Sequence, residues 1–258
     1  KVSIAPFHAW VPDVYQGAPT PLSAFMATAV KVVSFAAFLR VIATRPLIGS
    51  ENLFEILQWA AVITMIVGNT AAILQNNLKR MLAYSSIAHA GYILAAFAGL
   101  GNSGISAAAF YTAAYAAMNV GIFAVVTLVS GYDDKLPNID NFRGLIYRSP
   151  LLGSLLLFFL ISLVGIPFTG GFFGKFYSFS AAVGGGAIWL ALIGLLNSGV
   201  AAGYYLRLAL AASQRDLDAE RPVALTPQVG VAVGAALLLA AGATLVLGIV
   251  PGTTLHSA

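Results

Sequence analysis

Apolar residues fill seven stretches of this chain, each of them long enough to cross a membrane. The stretches cover about residues 22–42, 54–74, 79–100, 105–130, 151–183, 187–212 and 229–250. A membrane-spanning helix needs about 20 residues, each with a rise of about 1.5 Å. No stretch alternates between apolar and polar residues as a strand of a membrane barrel does. The pattern predicts an all-α, polytopic transmembrane bundle, preceded by a short apolar piece that ends near Trp10.

The stretch 151–183 is too long for one straight helix. At about 1.5 Å per residue it would extend roughly 50 Å, whereas the hydrocarbon core is about 30 Å thick. Its middle reads VGIPFTGGFFGKF, in which Pro167 lacks a backbone donor. Glycines that would loosen the following turns are Gly170, Gly171 and Gly174. We predict a discontinuous helix broken near residues 167–171, as at transporter ion sites, and a simple proline kink is the alternative.

Composition supports a membrane protein and excludes several functions. Charged residues make up 9% of the 258 residues and hydrophobic residues 59%, and the mean hydropathy is +0.89. A soluble domain has about 25% charged residues, so lipid must be the solvent for much of this chain. The net charge of +4 comes from scattered residues without a basic stripe, which does not favour nucleic-acid binding. The absence of cysteine excludes disulfides and iron–sulfur ligation within the chain.

Basic residues are unevenly distributed between the two ends of the predicted helices. The side where the 22–42 helix ends carries Arg40 and Arg45. The opposite side carries Lys79, Arg80, Lys135, Arg143, Arg148, Arg207, Arg215 and Arg221. Because cytoplasmic loops are enriched in Lys and Arg, we expect this opposite side to be cytoplasmic and the C-terminus to be periplasmic.

Three basic residues lie apart from these loops, namely Lys1, Lys31 and Lys175. Lys31 is halfway along the 22–42 helix, and Lys175 follows the predicted break. A charged Lys at mid-bilayer costs at least about 2.5–3.5 kcal/mol, so both are functional candidates, with snorkelling as the alternative. All nine acidic residues lie in or beside loops. Either these lysines are largely neutral, or a carboxylate from elsewhere supplies their counter-charge and lets them load and release a proton.

Polar side chains form stripes on three of the predicted helices. Ser85, His89 and Tyr92 share one face of the 79–100 helix. The other stripes are Thr28, Lys31 and Ser34, and Tyr111, Tyr115 and Asn119. Facing stripes would hold a file of water between helices, with ordinary interhelical hydrogen bonding as the alternative. Histidine titrates near neutral pH, which suits a proton relay. Signatures of phosphate, metal or nucleophile sites are absent from the sequence, which favours moving ions over bond chemistry.

Three motifs carry a resemblance to a known family. They read KVSIAPFHAWVPDVYQGAPTPLSAFMATAVK, LKRMLAYSSIAHAGYIL and GIPFTGGFFGKF. They resemble the antiporter-like membrane subunits of NADH-quinone oxidoreductase, respiratory complex I, over residues 1 to about 210. The resemblance implies a subunit of fourteen helices with two inverted five-helix repeats, each containing a broken helix. We therefore expect residues 1–258 to be one integral-membrane domain of a bacterial inner membrane, a fragment that holds the end of helix seven and helices eight to fourteen.

The resemblance also implies residue roles and partners. Lys1 matches the lysine of broken helix seven, whose proposed partner is a glutamate outside this chain, and Lys31 matches the lysine of helix eight. His89 matches an ionisable position on helix ten, and Lys175 matches the proposed exit lysine of helix twelve. The implied function is proton translocation coupled to NADH oxidation and quinone reduction, by a subunit without a redox centre. NADH, FMN, iron–sulfur clusters and quinone would be bound by other subunits, and the other membrane subunits would be its partners.

Three other functions stay open on the sequence alone. A subunit of a multisubunit cation/proton antiporter would transport ions in vesicles without any electron donor. A membrane subunit of a hydrogenase-type complex would differ in the donor that drives it. A structural membrane scaffold would tolerate substitution of Lys31 and Lys175 without loss of function.

Overall fold

Helices form the regular elements of the chain in a computed structural model that describes residues 1–44, 51–98, 102–131, 136–215 and 230–251. They are α1 (Trp10–Gly17), α2 (Thr20–Phe25), a π-helical turn (Met26–Val30), α3 (Lys31–Thr44), α4 (Glu51–Ile73), α5 (Leu78–Ala96), α6 (Asn102–Ser130), a 3₁₀ turn (Ile139–Phe142), α7 (Leu145–Arg148), α8 (Pro150–Val164), α9 (Gly170–Gly184), α10 (Ile188–Ser213) and α11 (Val231–Ile249). The predicted all-α class is confirmed.

Within these ranges, five helices are long and apolar enough to cross a membrane. They are Thr20–Ile42, Leu53–Ile73, Ser103–Ser130, Ile188–Ser213 and Val231–Ile249. Each corresponds to one of the seven predicted stretches, so the chain is a multi-pass integral membrane protein. The predicted stretch 79–100 is α5, in which every residue is buried except the half-buried Arg80 and Tyr84. Because protein rather than lipid surrounds α5, this helix can carry more polar residues than the others.

The predicted discontinuity is present, and it begins earlier than the sequence indicated. Helices α8 and α9 have 15 residues each. Each is therefore about 22 Å long, too short to cross a hydrocarbon core of about 30 Å alone. The break runs over residues 165–169, which overlaps the predicted position near 167–171 and begins two residues earlier because Gly165 already ends α8. Gly165 has a φ of 94° in the left-handed region, and its N–H donates to the carbonyls of Ile161 and Ser162.

The glycines after the break allow close packing instead of loosening the chain. They lie inside α9, which begins at Gly170. A Cβ on Gly171 would meet the carbonyl oxygen of Ser162, and a Cβ on Gly174 would lie 2.4 Å from the Tyr111 ring. Helix α9 can therefore approach α8 and α6 only because these positions lack a side chain.

A short helix at the beginning of the chain was not predicted. The apolar piece expected to end near Trp10 is not helical, and α1 begins at that residue instead. Helix α1 packs against α5, and hydrogen bonds hold this region to the first turn of α5. Arg80 pairs with Asp13 at 2.6 Å, and Lys79 Nζ donates to the carbonyl of Ala18 at 2.7 Å.

Backbone and side-chain contacts gather several predicted cytoplasmic segments at one end of the bundle. Asn77 bridges to Asn138, and Arg207 donates to Asn76 Oδ1 at 2.6 Å. The segments that carry Arg80, Arg143 and Arg207 thus lie together, as the charge pattern requires. Three basic positions of the charge pattern lie outside the described residues, namely Arg45, Lys135 and Arg221.

Helices α5, α6 and α9 lie at the centre of the packing. Helix α5 contacts α1, α4, α6, α9 and α10, and α6 contacts α3, α8, α9 and α11. The predicted polar stripes of α5 and α6 therefore face other helices, and the second half of the discontinuous helix lies beside both.

Candidate functional site

Lys31 is enclosed by α3, α5 and α6. It is the first residue of α3, directly after the π-helical turn Met26–Val30. Such turns change the face that the following residues present, and they are frequent at functional sites. The side chain is 2% exposed, and Nζ donates to the backbone carbonyl and to the hydroxyl of Ser86, both at 2.5 Å. Nζ also lies 5.7 Å from the ring centroid of Tyr115. This burial excludes the snorkelling alternative for Lys31.

His89 is fully buried on α5 between two tyrosine hydroxyls. Its Nε2 is 3.0 Å from the hydroxyl of Tyr205 on α10, and its Nδ1 is 3.0 Å from the hydroxyl of Tyr111 on α6. The Tyr205 hydroxyl is also hydrogen-bonded to Ser85. A neutral imidazole has one donor and one acceptor nitrogen, so one tyrosine donates to the ring while the other accepts from it.

Aromatic rings connect His89 to both buried lysines. The His89 ring centroid lies 4.9 Å from that of Tyr115 and 5.5 Å from that of Tyr92. Tyr115 lies under the Lys31 ammonium, and Tyr92 lies 5.2 Å from the Lys175 ammonium. We use the term buried line for these five residues, which are Lys31, Tyr115, His89, Tyr92 and Lys175. The structure therefore brings three of the predicted site residues together through two further predicted ones.

Lys175 is held by the helix break. It is 5% exposed, and its Nζ donates to the carbonyls of Leu163 and Val164 at 2.9 and 2.8 Å and to the Ser198 hydroxyl at 2.7 Å. Leu163 and Val164 end α8, where carbonyls lack a partner within the helix. The negative end of the helix dipole also attracts a cation there. The discontinuity thus creates the acceptors that allow a lysine at this depth.

Other predicted residues lie beside the buried line or away from it. Thr28, Ser34 and Asn119 each donate to a carbonyl four residues earlier in their own helix, at 2.7, 2.6 and 2.9 Å. Their place in a water path stays a prediction. Lys1 is exposed, so the structure does not bring it into the buried line.

Several residues that contact the buried line, or contact one of its partners, were missed in the sequence. They are Asn69, Ser86, Ser198, Tyr204 and Tyr205. Each is a polar residue within an apolar helix, which is the signal that could have found it. The Tyr115 hydroxyl is buried in the middle of the line and lacks a hydrogen-bond partner among the described residues, although Ser86 and Asn119 lie nearby.

The fold and site define a multi-pass membrane protein with a discontinuous helix and buried lysines at membrane depth. The family model described as NADH:quinone oxidoreductase/Mrp antiporter, TM, matches residues 1–201. The chain therefore belongs to this family, as the three motifs indicated.

Two relatives indicate which subunit within this family the chain resembles. The chain is 56% identical over 225 residues to NADH-quinone oxidoreductase subunit N of Bdellovibrio bacteriovorus. The aligned residues cover 85% of this chain and 46% of that relative. It is 48% identical over 262 residues to NADH-quinone oxidoreductase subunit N 1 of Solibacter usitatus, and this alignment covers 100% of this chain and 53% of that relative. The wording PDVYQGAPTPLSAF resembles subunit N more than subunits L or M, and these names confirm that resemblance. The chain spans about half the length of the curated relatives it matches.

Solved structures share the fold. A chain of respiratory complex I from Thermus thermophilus with bound aureothin is 38% identical, with a TM-score of 0.84 over 99% of this chain and 55% of that one. A chain of the archaeal membrane-bound sulfane sulfur reductase is 29% identical, with a TM-score of 0.80 over 98% and 51%. A chain of the Mrp complex from Dietzia sp. DQ12-45-1b has a TM-score of 0.84 over 99% and 55%, and at 20% identity it shows the fold alone.

Proposed function

We propose that this chain forms part of a proton-translocating membrane subunit of NADH-quinone oxidoreductase. The observation that carries the proposal is the buried line, in which two lysines and a histidine at membrane depth are connected through two tyrosine rings. Ionisable residues inside a membrane mark ion and proton pathways by default, because they are costly to insert. The relatives named as subunit N support the choice of this enzyme.

Each residue of the line has a role in the proposed proton transfer. Lys31 and Lys175 hold a proton at the two ends, and His89 passes one between its two ring nitrogens. The steps between rings exceed hydrogen-bond length, so water carries the proton between side chains. The Tyr115 and Tyr92 rings attract a cation at either end. Because the described acceptors of both lysines are neutral, the charge that drives loading comes from beyond these residues.

The remaining features of the proposal concern the whole subunit. It has no redox role, and NADH, FMN, iron–sulfur clusters and quinone are bound by other subunits of the complex. Its partners are the other membrane subunits, and its location is the bacterial inner membrane with a periplasmic C-terminus. Residues 1–258 form one integral-membrane domain within a pair of inverted repeats, and Lys1 interacts with a glutamate outside this chain.

The antiporter and hydrogenase-type alternatives have weaker support. The likeness to the Mrp complex is a likeness of fold, and the names of the two relatives reported above favour NADH-quinone oxidoreductase. Proton transport by vesicles in the absence of NADH would favour the antiporter instead.

The test uses the full-length subunit assembled in its complex. We would compare NADH-driven quinone reduction and the resulting ΔpH in sealed vesicles for the wild type and Lys31→Met, after a native gel confirms assembly. Methionine is similar in length and cannot carry a proton, so we expect both activities to collapse. Thr70→Val is the matched control, because Thr70 is exposed and donates only to carbonyls of its own helix. Wild-type activities in Lys31→Met would show that the proposed route is wrong.

A further inference from the structure

We infer that Asn69 of α4 is a positioning residue for the buried line, an inference that rests on the proposed function. Asn69 is fully buried, whereas its neighbour Thr70 is exposed. An amide within a membrane helix needs partners on other helices, because lipid offers none. The partners of Asn69 are two tyrosines and an asparagine. One tyrosine packs against the His89 ring, and the other packs on a residue that is hydrogen-bonded to His89.

The hydrogen bonds of Asn69 engage both ends of its amide. Nδ2 donates to the Tyr92 hydroxyl at 2.9 Å, and to the carbonyl and the Oδ1 of Asn197 at 3.1 and 3.3 Å. Oδ1 accepts from the Tyr204 hydroxyl at 3.1 Å. A primary amide has two N–H donors and one carbonyl, and here both kinds of group are bonded. A fully bonded amide has one orientation, so Asn69 fixes α5 and α10 relative to α4.

The first consequence concerns Tyr92. Its ring lies between His89, at 5.5 Å and an interplanar angle of 89°, and the ammonium of Lys175, at 5.2 Å. The bond from Asn69 holds the far end of this ring. Without that bond the hydroxyl is a buried polar group without its donor, which favours rotation of the ring toward another partner. Rotation would remove the aromatic face from Lys175 and break the connection between His89 and Lys175 in the buried line.

The second consequence reaches His89 from the opposite side. Tyr204 donates to Asn69, and its ring packs on that of Tyr205 with centroids 4.4 Å apart. Tyr205 in turn is hydrogen-bonded to His89 Nε2. Asn69 therefore acts on His89 through Tyr204 and Tyr205, and on Lys175 through Tyr92, although it touches neither His89 nor Lys175 in the described contacts.

The experiment compares two substitutions of Asn69 in the full-length complex. Asn69→Leu keeps the volume and removes every polar contact. Asn69→Asp, in its protonated form, keeps a carbonyl for Tyr204 and an O–H donor for Tyr92. We would measure NADH-driven proton transport per assembled complex, with Thr70→Val as the control. Asn69→Leu is expected to lower transport about threefold to tenfold, which corresponds to about 0.6–1.4 kcal/mol. Asn69→Asp is expected to retain more transport than Asn69→Leu.

This order of the two variants separates positioning from packing. A residue that only fills space in a membrane tolerates leucine better than aspartic acid, because lipid-depth acids are costly. Asn69→Leu transport equal to or above that of Asn69→Asp would therefore overturn the inference.

A second comparison tests the route through Tyr92. Tyr92→Phe removes the hydroxyl that Asn69 holds, so we expect it to lower transport. Adding Asn69→Leu to Tyr92→Phe should then lower transport less than Asn69→Leu does alone. Fully multiplicative losses would show that Asn69 does not act through Tyr92, and this part of the inference would be wrong.

Failure of the inference is distinguishable from failure of the proposed function. Lys31→Met and Lys175→Met are measured in the same vesicles. If they abolish transport while Asn69→Leu behaves as Thr70→Val does, the proposed function stands and the inference is wrong. If neither lysine variant changes transport, both are wrong.

Discussion

Replacing Gly174 by alanine is expected to disturb the site through packing alone. A Cβ at Gly174 would lie 2.4 Å from Cδ2 of Tyr111, with two further ring atoms at 2.9 and 3.0 Å. Ordinary contact begins at 3.4 Å, so the ring must move by about 1 Å. Its hydroxyl is 3.0 Å from His89 Nδ1, and such a movement breaks this hydrogen bond. Overpacking costs about 1–3 kcal/mol, and the lost bond adds about 0.6 kcal/mol.

The assay measures both stability and function. We would compare the unfolding midpoint and the NADH-driven ΔpH of Gly174→Ala with those of Gly184→Ala in the assembled complex. Gly184 lies in the same helix, and a Cβ there meets nothing within 4 Å. We expect Gly174→Ala to be less stable and to transport fewer protons, and Gly184→Ala to match the wild type or exceed its stability slightly. Equal stability and transport in the two variants would refute this reasoning.

Two further predictions concern stability. Gly68→Ala should lower the free energy of unfolding by about 1–3 kcal/mol, because its Cβ would lie 2.5 Å from the backbone nitrogen of Ala88. Gly203→Ala is the matched control, and it should be neutral or stabilising by up to about 1 kcal/mol because nothing lies within 4 Å of its Cβ. Parallel unfolding curves test this pair, and coincident midpoints would contradict it. Arg80→Met should cost less than about 1 kcal/mol, because the side chains of Arg80 and Asp13 are 31% and 71% exposed. Unfolding at low and high salt tests it, and a larger, salt-independent loss would contradict it.

The fold was predictable where one physical requirement dominates. Membrane spans need long apolar runs, and the runs in the sequence correspond to the helices with small shifts of their ends. The position of the break depends on local backbone geometry instead. Pro167 marks the region, yet Gly165 ends α8 because it adopts a left-handed φ. The sequence contains many glycines and does not show which of them adopts this conformation. Helix α1 was missed because its eight residues are too few for a clear period.

The ionisable residues of the site were predictable, and most of their hydrogen-bond partners were not. Lys31, His89 and Lys175 stand out because ionisable residues are rare in apolar helices. Their partners depend on which helices pack together. Spacing along one helix gives a face, whereas the bonds of His89 to Tyr205 and of Asn69 to Tyr92 join residues 116 and 23 positions apart. Such pairs follow from the packing of α4, α5 and α10, which hydrophobic periodicity does not specify.

The buried lysines differ from the cations at the end of the bundle in the groups they bond to. Arg80 and Arg143 form ion pairs with aspartates, at 2.6 and 3.0 Å. Among the described residues, Lys31 and Lys175 donate to carbonyl and hydroxyl oxygens. Such an oxygen accepts a hydrogen bond from an ammonium or from a neutral amine, whereas a carboxylate beside the amine would favour the charged form alone. An arrangement of neutral acceptors therefore leaves both lysines responsive to a charge that approaches from another part of the subunit, which is what a proton pathway driven from a distance requires.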